Sequence, residues 1–199
     1  MSRRKNTKTR DRILEASYRL FHERGFKGTS MDDVAKRAGI KKANLFHYFP
    51  SKEDLGLAVV ERVTGAFKER ISLELAADGR DPVRIVERMF SESARRMREN
   101  NCCRGCFIGN LAQELSDHNE KLREKISDYL RFWTGRLSDL LARGQSNGYL
   151  RKELKPRQSA EALLALLEGA TLFCKARKET AVFENARRMA VDYLEAFRA

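Results

Sequence analysis

Proline and histidine are scarce in this chain of 199 residues, with three of each. The prolines stand at Pro50, Pro82 and Pro156, each at a predicted helix boundary, so no predicted helix is interrupted. No stretch alternates apolar and polar residues as a half-buried strand does. These absences predict an all-α fold of about nine helices, with residues 1–8 unstructured and the first helix running from about Thr9 to Arg24.

Long apolar runs are also missing. No stretch approaches the roughly 18–20 apolar residues that a membrane-spanning helix needs. The basic residues at the N-terminus are not followed by an apolar segment, as they are in a secretory signal peptide. We therefore expect a soluble, cytoplasmic protein without a membrane partner.

Motifs of common enzymes are absent as well. The sequence contains no HExxH, no glycine-rich phosphate loop and no Ser/His/Asp order. No motif indicates a cofactor, and we expect the protein not to be an enzyme. The alternative that stays open is a helical thiol oxidoreductase that uses Cys102, Cys103 and Cys106.

Positive charge is concentrated at one end of the chain. Of the net charge of +12, residues 1–52 carry +9, from 14 Lys or Arg and 5 Asp or Glu. Residues 53–199 carry only +3. This distribution is typical of a phosphate-binding domain joined to a nearly neutral one. A nonspecific chromosome-coating protein would share it, so that alternative stays open.

Residues 29–55 have the pattern of a helix-turn-helix. Ser30, with Asp33 three residues on, predicts a capping box at the start of a short helix. Gly39 predicts its left-handed end. Lys41 and Lys42 open a second helix, which Pro50 ends. Two short helices about such a turn are the unit that places a recognition helix in the major groove of DNA.

The stretch from Arg10 to Leu55, which includes ILEASYRLFHERGFKGTSMDDVAKRAGIKKANLFHYFPSKEDL, resembles the DNA-binding domain of the TetR family of transcriptional regulators. The resemblance implies an N-terminal three-helix DNA-binding domain with a basic arm (1–52) and a C-terminal helical domain for effector binding and dimerisation (53–199). It implies a homodimer formed through helices 8 and 9. It also implies a repressor that leaves a palindromic double-stranded operator when a small-molecule effector binds or a cysteine is modified. The sequence departs from the family pattern at Lys41, where Ser or Thr often caps the helix, and at Phe46, where Tyr is common.

The predicted DNA contacts fall into two groups. Residues at helix N-termini can bind phosphate through free N–H groups and the positive end of the dipole. Side chains on the second helix can reach base edges, since Asn pairs with adenine, Lys donates to guanine and an Ala methyl suits thymine. The predicted DNA-binding residues are Thr29, Lys41, Lys42, Ala43, Asn44, His47, Tyr48, Ser51 and Lys52.

The segment NCCRGCFIGNLAQELSD, residues 101–117, resembles that of a NemR-like subgroup, some members of which sense electrophiles or oxidants through a cysteine. We place Cys106 at the start of helix 6, where N–H groups and the dipole favour a thiolate, with Cys102 or Cys103 as a resolving thiol. A buried packing role for Cys106 is the alternative. A zinc site from these cysteines and His118 matches no paired ligand spacing, so we predict no metal.

The resemblance places an effector pocket among helices 4 to 8. An aromatic stripe at helical spacing is more often part of an ordinary core than of a ligand site, and both interpretations stay open. The candidate lining residues, besides Cys106, are Phe67, Phe90, Met97, Phe107, Asn110, Phe132, Trp133 and Phe173.

Overall fold

The computed structural model describes residues 2–75 and 81–199, and within them it contains nine α-helices and no strand. The all-α prediction is confirmed. Within the described part of the chain, no helix is both long and apolar enough to cross a membrane. The helices are α1 (Ser2–Arg24), α2 (Met31–Ala38), α3 (Lys42–Tyr48), α4 (Lys52–Leu75), α5 (Pro82–Glu99), α6 (Phe107–Leu115), α7 (Glu120–Ser146), α8 (Pro156–Arg177) and α9 (Ala181–Glu195).

Helix ends show where local signals sufficed. Asp81 caps α5, its carboxylate accepting from the Val83 N–H at 2.9 Å, with Pro82 as the first helical residue, as predicted. The prediction of an unstructured arm over residues 1–8 is wrong from Ser2 onward, because α1 begins there. No proline or glycine interrupts this segment, and extending a formed helix costs far less than nucleating one. The predicted end of α4 near Ala77 lies outside the described residues.

The chain divides into two compact units. The first comprises the chain up to Phe67 together with Phe107–Tyr129. The Phe107 ring packs edge-on against Tyr18, with centroids 5.0 Å apart, and lies 5.5 Å from His22. The first unit therefore includes residues beyond the domain boundary predicted at residue 52. The reason is that the apolar side chains of α6 and of the beginning of α7 are buried against the N-terminal helices. Its fully buried side chains include Ile13, Leu45, Leu55, Ile108 and Leu122.

The second unit comprises Lys68–Cys106 and Leu130–Ala199. Its centre is the packing of α5 against α9 and α8. Near the C-terminus, the Arg198 guanidinium forms two hydrogen bonds of 2.9 Å with the Asp81 carboxylate, which fixes the chain end to the start of α5. Fully buried side chains of this unit include Phe90, Leu137, Leu141, Phe183 and Leu194.

Candidate functional site

The turn between α2 and α3 has the geometry that the sequence predicts. The Ser30 hydroxyl accepts from the Asp33 N–H at 3.1 Å, and the Asp33 carboxylate accepts from the Ser30 N–H at 2.9 Å. This reciprocal pair is a capping box. Gly39 ends α2 with φ of 64°, in the left-handed region, and its N–H bonds to carbonyls of the last turn of α2. The capping-box and glycine-stop predictions are therefore confirmed.

Helix α3 buries one side and exposes the other. Leu45 is completely buried, and Phe49, just beyond the helix, is 4% exposed. These two residues anchor α3, whereas most of the other side chains of the helix remain accessible. Lys41 is the N-cap residue and makes no side-chain cap hydrogen bond. The exposed residues are Lys41, Lys42, Ala43, Asn44, Phe46 and His47, with Tyr48 half-buried.

Phe46 is an exposed residue that the predicted contacts omit. Its side chain is 40% exposed although it is large and apolar. A phenylalanine on a groove-facing helix can contact the methyl group of thymine. A sequence signal is present at this position, where Phe stands in place of the Tyr that is common in the family.

Three of the predicted phosphate-binding residues, Thr29, Ser51 and Lys52, lie at or just before the start of a helix. Their side chains differ in exposure to solvent. The Thr29 hydroxyl is buried and donates to the Gly25 carbonyl at 2.8 Å, so it holds the turn and does not face solvent. Ser51 caps α4, accepting from the Asp54 N–H at 3.0 Å. The Lys52 ammonium lies 4.5 Å from the centroid of the Phe26 ring, and burial lowers its pKa, an effect that Glu114 partly offsets.

Glu114, near the end of α6, binds the turn that leads into the helix-turn-helix. Its carboxylate accepts from the Phe26 N–H at 2.8 Å and from the Lys27 N–H at 2.5 Å. Gly25 permits this approach: it has φ of 79°, and a Cβ added there would lie 2.9 Å from a Glu114 oxygen. No local signal in the sequence indicates this role of Glu114, because its partners lie 87 and 88 residues away in the chain.

The start of α4 is held by the segment that follows α6. The Asn119 amide donates to the Glu53 carboxylate at 2.7 Å, and the Lys121 ammonium pairs with it at 2.6 Å. Lys121 and then Asn119 lower the pKa of Glu53. The Asn119 side chain also accepts from the Leu122 N–H at 2.9 Å, so one residue caps α7 and binds α4. Residues 107–129 therefore contact both the turn that precedes α2 and the start of α4.

Two family models match this chain. "Bacterial regulatory proteins, tetR family" matches residues 13–59, and "Tetracyclin repressor-like, C-terminal domain" matches residues 82–190.

The chain belongs to the TetR family. It is a DNA-binding transcriptional regulator, as members of this family are, and not an enzyme, so the oxidoreductase alternative has no support. It is 30% identical over 179 residues to the HTH-type transcriptional repressor NemR of Escherichia coli, covering 89% of each chain. It is 28% identical over 169 residues to the repressor DhaR of a Mycobacterium species, covering 85% of this chain and 83% of DhaR.

Solved structures agree with this assignment. The reduced form of E. coli NemR matches with a TM-score of 0.86 and 28% identity, over 96% of this chain and 97% of that one. A TetR regulator from Chloroflexus aurantiacus matches with a TM-score of 0.86 and 25% identity, over 98% of both chains.

The predicted pocket residues are distributed over both units. Phe67, Phe107 and Asn110 belong to the first, whereas Phe90, Met97, Cys106, Phe132, Trp133 and Phe173 belong to the second. Phe90, Met97 and Phe107 are buried, and Phe67, Asn110, Phe132 and Trp133 are half-buried. Phe173 differs from the others because it is 54% exposed on α8.

Cys106 lies directly before α6, which begins one residue later than predicted, and it is half-buried. Its thiol shares a hydrogen bond with the Glu168 carboxylate of α8. Burial raises the pKa of Glu168, and the hydrogen bond from Cys106 partly offsets that effect. No local signal in the sequence indicates this neighbour, because Glu168 lies far from Cys106 in the chain. Among the described residues, no group of three or more His, Cys, Asp or Glu side chains is gathered to hold a metal.

Helices α8 and α9 carry an exposed apolar stripe. On α8, Leu172 is 48% and Phe173 54% exposed; on α9, Met189 is 65% and Tyr193 40% exposed. The α8 part continues toward the N-terminus through small residues at helical spacing. Gly169 lies in this part, and a Cβ added there would meet no atom within 4 Å. The small or apolar residues that continue the stripe are Ala162, Ala165, Leu166 and Gly169.

Proposed function

We propose that this regulator is a repressor that binds a palindromic operator as a homodimer. The observation that carries the proposal is the exposed surface of α3, which presents Lys42, Ala43, Asn44, Phe46 and His47 from a helix anchored by Leu45. A DNA-reading helix needs donors for base edges and small or apolar groups for the thymine methyl. This surface supplies both. The protein would act in the cytoplasm, where a bacterial chromosome lies.

Phosphate binding would set the position of α3 in the groove. The N–H groups at the start of α4, behind the Ser51 cap, form a site for one phosphate. The Lys42 ammonium is exposed and pairs with Asp32 at 2.8 Å in the free protein. Exposed pairs of this kind are weak, so a phosphate or a guanine can displace the aspartate at little cost.

Dimerisation would use the apolar stripe of α8 and α9. A stripe that exposes Leu172, Phe173 and Met189 is unfavourable in water unless a partner covers it. A second copy is the occupant that fits, because a two-fold operator needs two α3 helices held at a fixed spacing. Gly169 favours close approach of a partner helix, since its position is open on the side where a Cβ would stand.

The conformational change that releases the operator would be transmitted through α6. The helix begins directly after Cys106, and its Glu114 holds the N–H groups of Phe26 and Lys27 next to the helix-turn-helix. An effector bound beside α6, or a modified Cys106, could shift Glu114 and with it the turn. To move occupancy from 99:1 to 1:99, the effector must favour one state by about 5.5 kcal/mol.

The test is a selection from random DNA duplexes with the purified full-length protein near physiological salt, with and without reductant. We expect one palindromic motif. Binding without any sequence preference would contradict the proposal and favour the chromosome-coating alternative. A diamide or hypochlorite titration that left operator affinity unchanged would exclude release through modification of a cysteine. Release by a small-molecule effector would remain.

A further inference from the structure

A cavity of about 580 Å³ lies at the start of α5, within the second unit. The residues that line it are Asp81, Arg84, Ile85, Arg88 and Tyr149. This set shares no residue with the predicted effector pocket. Small-molecule sites in proteins commonly have volumes of roughly 300–1,000 Å³, so the space suits a ligand of modest size.

Close packing between α5 and the end of α7 fixes the walls of this cavity. A Cβ added to Gly144 would lie 2.7 Å from Cγ of Pro82, so glycine lets the end of α7 approach the start of α5. The Tyr149 N–H donates to the Gly144 carbonyl at 2.8 Å. The Tyr149 carbonyl in turn accepts from the Ala199 N–H at 3.2 Å. The backbone of Tyr149 is therefore held on both sides.

Asp81 contributes the carboxylate among the lining residues, and it already has partners. It accepts hydrogen bonds from the Arg198 guanidinium, both at 2.9 Å, and from the Val83 N–H at 2.9 Å. Arg84 adds only a longer-range attraction to this carboxylate. Because Arg198 compensates the charge of Asp81, the walls of the cavity keep the positive charges of Arg84 and Arg88.

Arg84 and Arg88 stand four residues apart on α5 and are both exposed, so their side chains share one side of the helix. Neither guanidinium forms an ion pair or a hydrogen bond with any residue in the described ranges, 2–75 and 81–199. Arg95, farther along the same helix, differs from them: it pairs with Glu92 and with Glu99, both at 2.6 Å. The two arginines at the cavity are thus available to a ligand.

The position of these arginines is unfavourable in the absence of an anion. Arg84 is the third residue of α5, so it lies in the first turn, where the positive end of the helix dipole disfavours a cation. Like charges four residues apart on a helix also repel each other. Guanidinium groups bind phosphate through paired N–H donors. A bound phosphate would therefore relieve two unfavourable interactions at once.

We propose that this cavity binds a small aromatic phosphate, at a site separate from the predicted effector pocket. The two guanidinium groups match the two negative charges of a phosphate monoester, whereas a sulfate ester supplies only one. Ile85 and Tyr149 also line the cavity and offer apolar surface to an aromatic group. The proposal goes beyond regulation of DNA binding, and its test contains no DNA, so the failure of either proposal leaves the other standing.

The experiment measures the binding of phenyl phosphate to the full-length protein by titration calorimetry at about pH 8, where phosphate monoesters are dianions. Phenyl sulfate has the same shape with one charge fewer, and inorganic phosphate lacks the ring. We expect phenyl phosphate to bind with a dissociation constant of about 1 mM or below, and each of the other probes to bind about tenfold more weakly. Equal affinity for phenyl phosphate and phenyl sulfate would overturn the proposal, as would no binding of phenyl phosphate at about 10 mM.

Variants distinguish this cavity from the phosphate site proposed at the start of α4. Arg84→Gln and Arg88→Gln, made singly, should each weaken the binding of phenyl phosphate about tenfold, because each removes a charge-assisted contact. Arg98→Gln is the matched control, since it removes one charge from an exposed position of α5 outside the cavity, and it should bind as the wild type does. If phenyl phosphate bound equally well to all three variants, the ligand would lie elsewhere and the proposal would be wrong.

Tyr149→Ala tests the apolar part of the site. It should weaken the binding of phenyl phosphate several-fold and leave the affinity for inorganic phosphate unchanged, because only the first probe carries a ring. A change in the fold would alter the affinities for both probes, so the difference between them reports on the wall of the cavity. Equal weakening for both probes would contradict the assignment of Tyr149 to the aromatic group.

Discussion

Two surfaces of this protein are exposed for different reasons. The outer side of α3 presents an ammonium, an amide and an imidazole, from Lys42, Asn44 and His47. The outer side of α8 and α9 presents Leu172, Phe173, Met189 and Tyr193. Water hydrates the first surface well, and a DNA groove offers it equivalent hydrogen bonds. Water solvates the second poorly, so that surface is suited to permanent cover by another apolar surface.

The two surfaces require partners that differ in how readily they dissociate. A polar surface can bind and release its partner, because both states satisfy its hydrogen bonds, and a regulator must release its operator. An apolar surface favours lasting association, because separating it returns apolar area to water at roughly 25 cal/mol per Å². We therefore expect changes on α8 and α9 to act on assembly, and changes on α3 to act on DNA recognition alone.

The largest effect is expected from a bulky substitution within the apolar stripe of α8. Gly169→Trp should leave the monomer folded, because a Cβ there meets nothing within 4 Å, but it should block close packing of a second copy. Sedimentation should show a monomer, and operator affinity should fall about 100-fold or more, since one α3 reads one half-site. Gly65→Trp is the matched control, since that position on α4 is equally open. If Gly169→Trp remained a dimer, α8 would not be the interface.

A smaller effect, confined to DNA recognition, is expected from Asn44→Ala. Loss of a bidentate contact with adenine costs about 1–3 kcal/mol per half-site, or roughly 5- to 150-fold in affinity. The protein should remain a dimer and should lose discrimination at one base pair. Lys42→Ala is the comparison: if Lys42 binds phosphate, affinity should fall for all sequences alike, with a shallower salt dependence. Unchanged preference in Asn44→Ala would exclude that residue from base reading.

Glu114→Gln tests the contact between α6 and the turn before α2. Glutamine keeps the size but loses the charge that accepts from the Phe26 and Lys27 N–H groups. Loss of charge-assisted hydrogen bonds costs about 1–3 kcal/mol, so the melting temperature should fall by roughly 2–10 °C. Glu61→Gln, at an exposed position of α4, should have no comparable effect. Equal melting temperatures for the two variants would mean that the Glu114 contact contributes nothing to stability.

The smallest effect concerns Glu168, which also lies on α8. Because burial raises the pKa of Glu168, the native state holds that proton more tightly than the unfolded state, and stability is lost as pH rises through the raised pKa. Glu168→Gln should therefore raise the melting temperature by roughly 2–4 °C at pH 8 and by less at pH 4. A thermal melt at both pH values checks this. A gain that was larger at pH 4 would contradict the assigned direction.

Local signals in the sequence were sufficient for the DNA-binding end. Ser30, Gly39 and Pro50 act on the backbone next to them, so their effects could be predicted without knowing the fold. Contacts between distant residues could not be predicted in this way. Glu114 binds Phe26 across 88 residues, and Cys106 meets Glu168 only because α8 returns to that position. The predicted boundary at residue 52 differs from the compact units for the same reason, since Phe107 packs with Tyr18.

The most direct test of the account changes the spacing of the operator. Once the palindrome is known, affinity is measured for the intact site and for a site with about five base pairs, half a helical turn, inserted between the half-sites. A dimer that holds two α3 helices at fixed spacing should bind the altered site no better than unrelated DNA. Equal affinity for both sites would contradict the account, because it would mean that each chain reads DNA independently of the surface on α8 and α9.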